Sequence, residues 1–184
     1  RRSYVKSSDT TSAAMVRLHT GERTAHGAGA RACVDKWVTG QMTQAFPVAS
    51  PDPPARPDKA EARAPINMPR RRRKGGSDQT RKALLHAIAH IEFNAIDLAF
   101  DMVARFGDQM PREFTDDWVR VGDDAARHFA MVSARLAELD ASYGDLPAHD
   151  GLWEAAVETA SDVAARLAIV PMVLEARALM SHRV

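Results

Sequence analysis

The sequence predicts an all-α fold, a bundle of long helices preceded by an extended arm, on three observations. Three stretches of about 25 residues, roughly 40 Å each as helix, carry apolar residues at three- and four-residue intervals along a single side. No stretch alternates apolar and polar residues as a half-buried strand does, and no internal repeat is present. Between residues 47 and 69 seven prolines fall in 23 residues, a density that excludes helix interiors and sheet centres and favours extended chain.

The 184 residues are 45% hydrophobic, enough for one sizeable core. A net charge of +1 hides an uneven distribution: residues 1–80 hold 15 Lys+Arg against 7 Asp+Glu, and residues 81–184 hold 10 against 17. The expected division is therefore a basic, Pro-rich arm over 1–76, disordered or extended, and an acidic helical bundle over 77–184. No apolar run approaches the ~20 residues of a bilayer span, and the N-terminus lacks the apolar segment of a secretory signal. These features predict a soluble, cytoplasmic protein without a membrane partner. The lone Cys33 has no internal partner for a disulfide, and nothing beside it resembles a thiol active site or a zinc cluster.

Residues 1–30 are rich in Ser, Thr, Gly, Ala and His without periodicity and are expected to be disordered, with one short helix near 31–42. The run from Arg70 to Lys74, followed by Gly75 and Gly76, closes the arm. Ser77 or Asp78 caps the first long helix, whose stripe of Leu85, Ile88, Ala95, Ile96, Ala99, Val103 and Phe106 ends at Gly107. Pro111 opens the second, with Phe114, Trp118, Val121, Ala125, Val132, Leu136 and Leu139 on one face. The stretch DASYGDLPAHDG interrupts the pattern, and Asp150 can cap a third helix from Leu152 to about Leu179. Three such helices leave one side of a four-helix bundle to be covered by the arm, a partner chain or a fourth helix.

Glu92 falls near the centre of the first stripe, so its carboxylate is desolvated unless it is paired at a helix crossing or bound to metal. His86, His90, Asp97 and Asp101 lie on the opposite side and are expected to be solvated or to touch the arm. On the second helix His128 falls at the edge of the stripe, where a histidine is either a satisfied core residue or a ligand. In an antiparallel pair it reaches the depth of Glu92. Asp124, one turn earlier, is placed to orient the imidazole or to reach a metal with its shorter side chain. Glu175 follows Pro171, whose kink can swing it inward; otherwise it pairs with Arg177 on the surface. Glu158, Asp162 and Arg166 have the spacing of a solvated salt-bridge row. The run Arg70–Lys74 has no interleaved aromatic residues, so it either packs on the acidic helices or meets RNA.

Taken together, the segments ALLHAIAHIEFNAIDLAFDMVARF, MPREFTDDWVRV, RHFAMVSARL and SYGDLPAHDGLW resemble an uncharacterised ferritin-like family of bacterial proteins. That family carries HAIAHIE, YGDLPAHDGLW and EARGLD blocks and is related to the di-iron tRNA hydroxylases; the resemblance runs from about residue 51 to 179. It implies a ferritin-like bundle with a Glu on the first helix, Glu-x-x-His on the second, Glu on the third and Glu-x-x-His on the fourth. Glu92, His128 and Glu175 match the first Glu, the second-helix His and the third Glu, and are the expected metal ligands. Ala125 stands where the second-helix glutamate is expected, Ala178 replaces the glycine of EARGLD, and no fourth-helix pair occurs in the 184 residues, so the chain reads as truncated before that helix.

The function this implies is that of a metal-binding relative of di-iron oxidases or hydroxylases with an incomplete site, its cofactor iron. The alternative is a degenerate helical bundle that acts by association, through a second copy or a partner helix that completes it. A weaker alternative is RNA association through Arg70–Lys74.

Overall fold

The structure, a computed structural model, describes residues 23–41, 77–149 and 151–169. The Pro-rich stretch, the Arg70–Lys74 run, Pro171 and Glu175 lie outside the described residues. Four helices have defined bounds: α1 (Arg23–Val38), α2 (Asp78–Phe106), α3 (Arg112–Ala137) and α4 (Gly151–Glu158). A fifth, α5, is helical over residues 163–169. The fold is all-α, and no strand occurs among the described residues.

Local chemistry sets the long helices where the sequence puts them. Ser77 has extended backbone and its hydroxyl accepts the Thr80 N–H at 3.3 Å, which starts α2. Gly107 donates its N–H to the Val103 carbonyl and ends it, in an ordinary right-handed conformation. Pro111 supplies the residue before α3. At the far end of α3, Asp140 takes a left-handed φ of 52° and the Ala141 N–H turns back to the Leu136 carbonyl at 3.0 Å. That reversal closes the helix end and sends the chain back across α2.

α2 and α3 pair antiparallel through their apolar faces. Ala89, Phe93, Ile96, Phe100 and Val103 of α2 meet Val119, Ala125, Ala126, Phe129 and Leu136 of α3 in one buried cluster. Gly122 leaves room for the Phe100 ring, since a Cβ there would sit 2.8 Å from it. α1 adds Ala30, Cys33 and Trp37 to the same core. Its Trp37 Nε1 donates to Asp116 at 2.6 Å, and the Arg112 guanidinium lies 4.9 Å from the Trp37 ring centre. Cys33 is buried, and its thiol is pushed up to about 11 by that burial, as befits an inert packing residue.

Several expectations are corrected. The first helix begins at Arg23, within the stretch read as disordered, and ends at Val38. Its sequence, RTAHGAGARACVDKWV, is rich in Ala and Gly at its start and gives little periodic signal, and Ala30 and Cys33 are the small residues that it packs into the core. The third long helix breaks: α4 ends at Glu158, and Asp162 caps a new start by accepting the Ala164 and Ala165 N–H groups at 2.9 and 3.0 Å. Finally, α2 is long and apolar enough to cross a membrane by length and composition, although 56% of its most apolar window is buried inside the protein, as in a bundle's core helix.

Candidate functional site

Glu92 lies 14 residues before the end of α2 and His128 lies 16 after the start of α3. At 1.5 Å per residue both are roughly 21 to 24 Å from the connecting turn, so an antiparallel pair brings them to one level. His128 Nδ1 is 3.6 Å from Glu92 Oε1. The carboxylate is mostly buried, with 22% of its side chain exposed, while the imidazole at 53% stands at the rim. Burial raises the Glu92 pKa above the usual carboxylate value; the attraction of His128 and its hydrogen bond work against that rise without cancelling it.

One turn before His128, Ala125 is buried at 4% exposure, so a methyl fills the inward position that a second carboxylate would need. Asp124 is exposed and engaged by the Arg127 guanidinium, which draws its carboxylate along the helix surface. Among the described residues no group of three or more His, Cys, Asp or Glu converges closely enough to hold a metal ion. Leu84 and Ile91 on α2 and Val121 and Met131 on α3 remain 41–62% exposed.

A second polar centre lies on the other side of α2, where the sequence suggested solvent. His86, His90, Asp97 and Asp101 are all buried, because the segment after α3 and the pair α4 and α5 cover that side. His86 Nε2 accepts the N–H groups of Gly144 at 2.9 Å and Leu146 at 3.3 Å. His90 donates from Nε2 to the His149 carbonyl at 2.7 Å, which leaves Nδ1 to accept the Tyr143 hydroxyl proton at 3.0 Å. Tyr143 is itself buried against Phe93 and Phe129, with ring centres 5.3 and 5.6 Å away.

Lower on the same side Arg166, 1% exposed, binds Asp101 Oδ2 from Nη1 at 2.6 Å and Thr159 Oγ1 from Nε at 2.8 Å, and reaches the Ala156 carbonyl from Nη2. Arg105 Nε meets the same aspartate at 2.8 Å. Arg166 is thus no member of a solvated row; it ties α5 and the end of α4 to α2, while Glu158 and Asp162 stay exposed. The signal that marks this face is compositional. His86, His90, Asn94, Asp97 and Asp101 are short polar residues at helical spacing, whereas a solvated face carries Lys and Glu.

The family model described as "Protein of unknown function (DUF455)" matches residues 20–183, and the chain belongs to that family. An uncharacterized protein of Haemophilus influenzae is 45% identical over 129 residues, 67% of this chain and 44% of its own length. The chain thus spans less than half the length of that relative. No solved structure matches it.

Proposed function

We propose that this member of the DUF455 family is a ferritin-like metal-binding protein in which Glu92 and His128 form one half of a carboxylate and histidine site for iron. The observation that carries this reading is the 3.6 Å approach of His128 Nδ1 to a Glu92 carboxylate that burial holds above its usual pKa. A buried acid without a full cationic partner is destabilising by itself, and a metal ion is the partner that reverses the cost. The spacing is close to the ~3.4 Å edge between two ligands on one tetrahedral ion with bonds of about 2.1 Å.

The donor set fits one ion in part and does not fit two. A bundle di-metal centre draws roughly four carboxylates and two histidines from four helices. Ala125 removes one of those carboxylates, and no Glu-x-x-His occurs in the 184 residues. Glu175 is the further carboxylate of this reading, supplied from the segment after α5. Iron in such sites supplies oxygen activation. Here Glu92 offers the anionic ligand and His128, at the rim, the neutral one.

A second reading rests on Ala125. Because its methyl is buried where a ligand would project, the protein can keep the bundle and act by association without redox chemistry. Cobalt(II), a visible probe for nitrogen and oxygen ligands, separates the two. Ligand-field absorption that disappears in His128→Ala and weakens in Glu92→Gln supports metal binding. No absorption, or absorption indifferent to both substitutions, favours association.

A further inference from the structure

We propose that His86 is an acid-operated latch: in its neutral form it holds the turn over residues 142–149 against α2, and on protonation it releases that turn. The inference stands on hydrogen-bond chemistry and is independent of the metal reading.

Both groups that meet His86 Nε2 are backbone N–H donors, from Gly144 and Leu146. Nε2 must therefore carry the lone pair, with the proton on Nδ1. The backbone is shaped for this contact: Gly144 has a φ of +102°, which side-chain-bearing residues rarely adopt. Protonation puts a third N–H into the same space. Both amides then lose their acceptor, that of Gly144 in a buried position beside an imidazole that is only 3% exposed. His90 behaves differently, because its Nδ1 faces a hydroxyl that can either donate or accept.

The charges around His86 set the sign. On its own helix stand Lys82, one turn back, and His90, one turn on. From the segment after α3 come Asp140, Tyr143 and Asp145, with the Tyr143 ring 5.2 Å from the imidazole. Asp145 favours the protonated ring, but it is exposed and already accepts the Ser142 N–H at 2.6 Å. Burial opposes it and is the larger effect, so the His86 pKa lies below the usual histidine value. A depressed folded pKa means that the latch is fully held above the unfolded value of about 6.5 and is lost as pH falls from there through the folded value.

The released turn carries Tyr143, which covers Phe93 and Phe129, and the His149 carbonyl that receives His90. Opening it bares one side of the α2 and α3 core while the helix pair stays formed.

Amide exchange followed by NMR on the whole chain, corrected for intrinsic rates, tests this between about pH 7.5 and 5. Protection at Gly144 and Leu146 should fall about tenfold per pH unit below ~6.5 while Phe129 in α3 keeps its protection. In His86→Gln, whose carbonyl can accept but does not titrate, protection at both amides should stay level. Protection that is level in the unsubstituted chain, that falls equally in His86→Gln, or that falls at Phe129 in step with Gly144 would overturn the latch. Should His86→Gln fail to fold, the unsubstituted chain still decides: the His86 ring must titrate together with the Gly144 amide signal, and a ring that titrates while that signal stands still overturns it.

Discussion

His128 Nδ1 reaches to within 3.6 Å of Glu92 Oε1 across the α2 and α3 contact, and the imidazole offsets only part of what it costs to bury that carboxylate. A pairing of this kind sets a stability profile as well as a ligand geometry.

Glu92→Gln should stabilise the metal-free protein near pH 8 and change little near pH 4. The folded pKa of Glu92 is raised, so its contribution is most favourable when protonated and is lost as pH rises through that value. The neutral amide avoids the loss. A gain of about 1 kcal/mol, or roughly 2–4 °C in Tm for a chain of this size, is expected at the higher pH. Thermal melts of both proteins at the two pH values check it; a lower Tm for the variant at pH 8 would mean that the His128 attraction outweighs burial.

Gly122→Ala should cost about 1–3 kcal/mol by overpacking, since the new methyl would sit 2.8 Å from the ring of Phe100, which is only 3% exposed. Combining it with Phe100→Leu should recover part of the loss, because the two changes share one space. Urea unfolding of the single and double variants measures the coupling, and strict additivity would show that the helices do not meet there.

Arg166→Ala should destabilise by about 3 kcal/mol, near the lower end for breaking a buried ion pair, because Asp101 keeps Arg105. Arg166→Met with Asp101→Asn should recover part of that loss, as both charges of the buried pair go together while Arg105 gives up its ion pair with Asp101. Chemical denaturation of the two variants distinguishes a buried tie from a surface pair, which would lose less than about 1 kcal/mol.

The sequence reveals most where a local chemical signal and a helical period agree. Ser77 and Gly107 bracket α2 as expected, and counting residues along two antiparallel helices is enough to bring Glu92 level with His128. What it conceals is a second buried side. A single apolar stripe leaves His86, His90, Asp97 and Asp101 facing outward, yet α2 buries almost every residue from Phe93 to Ala104 because tertiary neighbours cover it twice. That coverage depends on the Tyr143 turn and on Arg166, both distant in sequence, and periodicity carries no information about either. The break at Asp162 escapes for a different reason: an acid one turn after Glu158 fits a continuous salt-bridge row as well as a new N-cap. α1 gives weak periodicity because Ala and Gly fill much of its length in place of a stripe of large apolar residues.

Anaerobic titration of ferrous iron into the unsubstituted chain, Glu92→Gln and Ala125→Glu bears most directly on whether Glu92 and His128 form half of a metal site. Weak binding that plateaus at or below about one ion per chain is expected, since one carboxylate and one imidazole meet at the described site. Glu92→Gln should weaken it by about tenfold or more, the loss of a single ligand charge. Ala125→Glu should restore the i, i+3 partner of His128 without raising the plateau, because the remaining half of the donor set is not rebuilt. Binding that ignores Glu92→Gln, or two tightly held ions in Ala125→Glu with the absorption of an oxo-bridged pair after exposure to air, would contradict this.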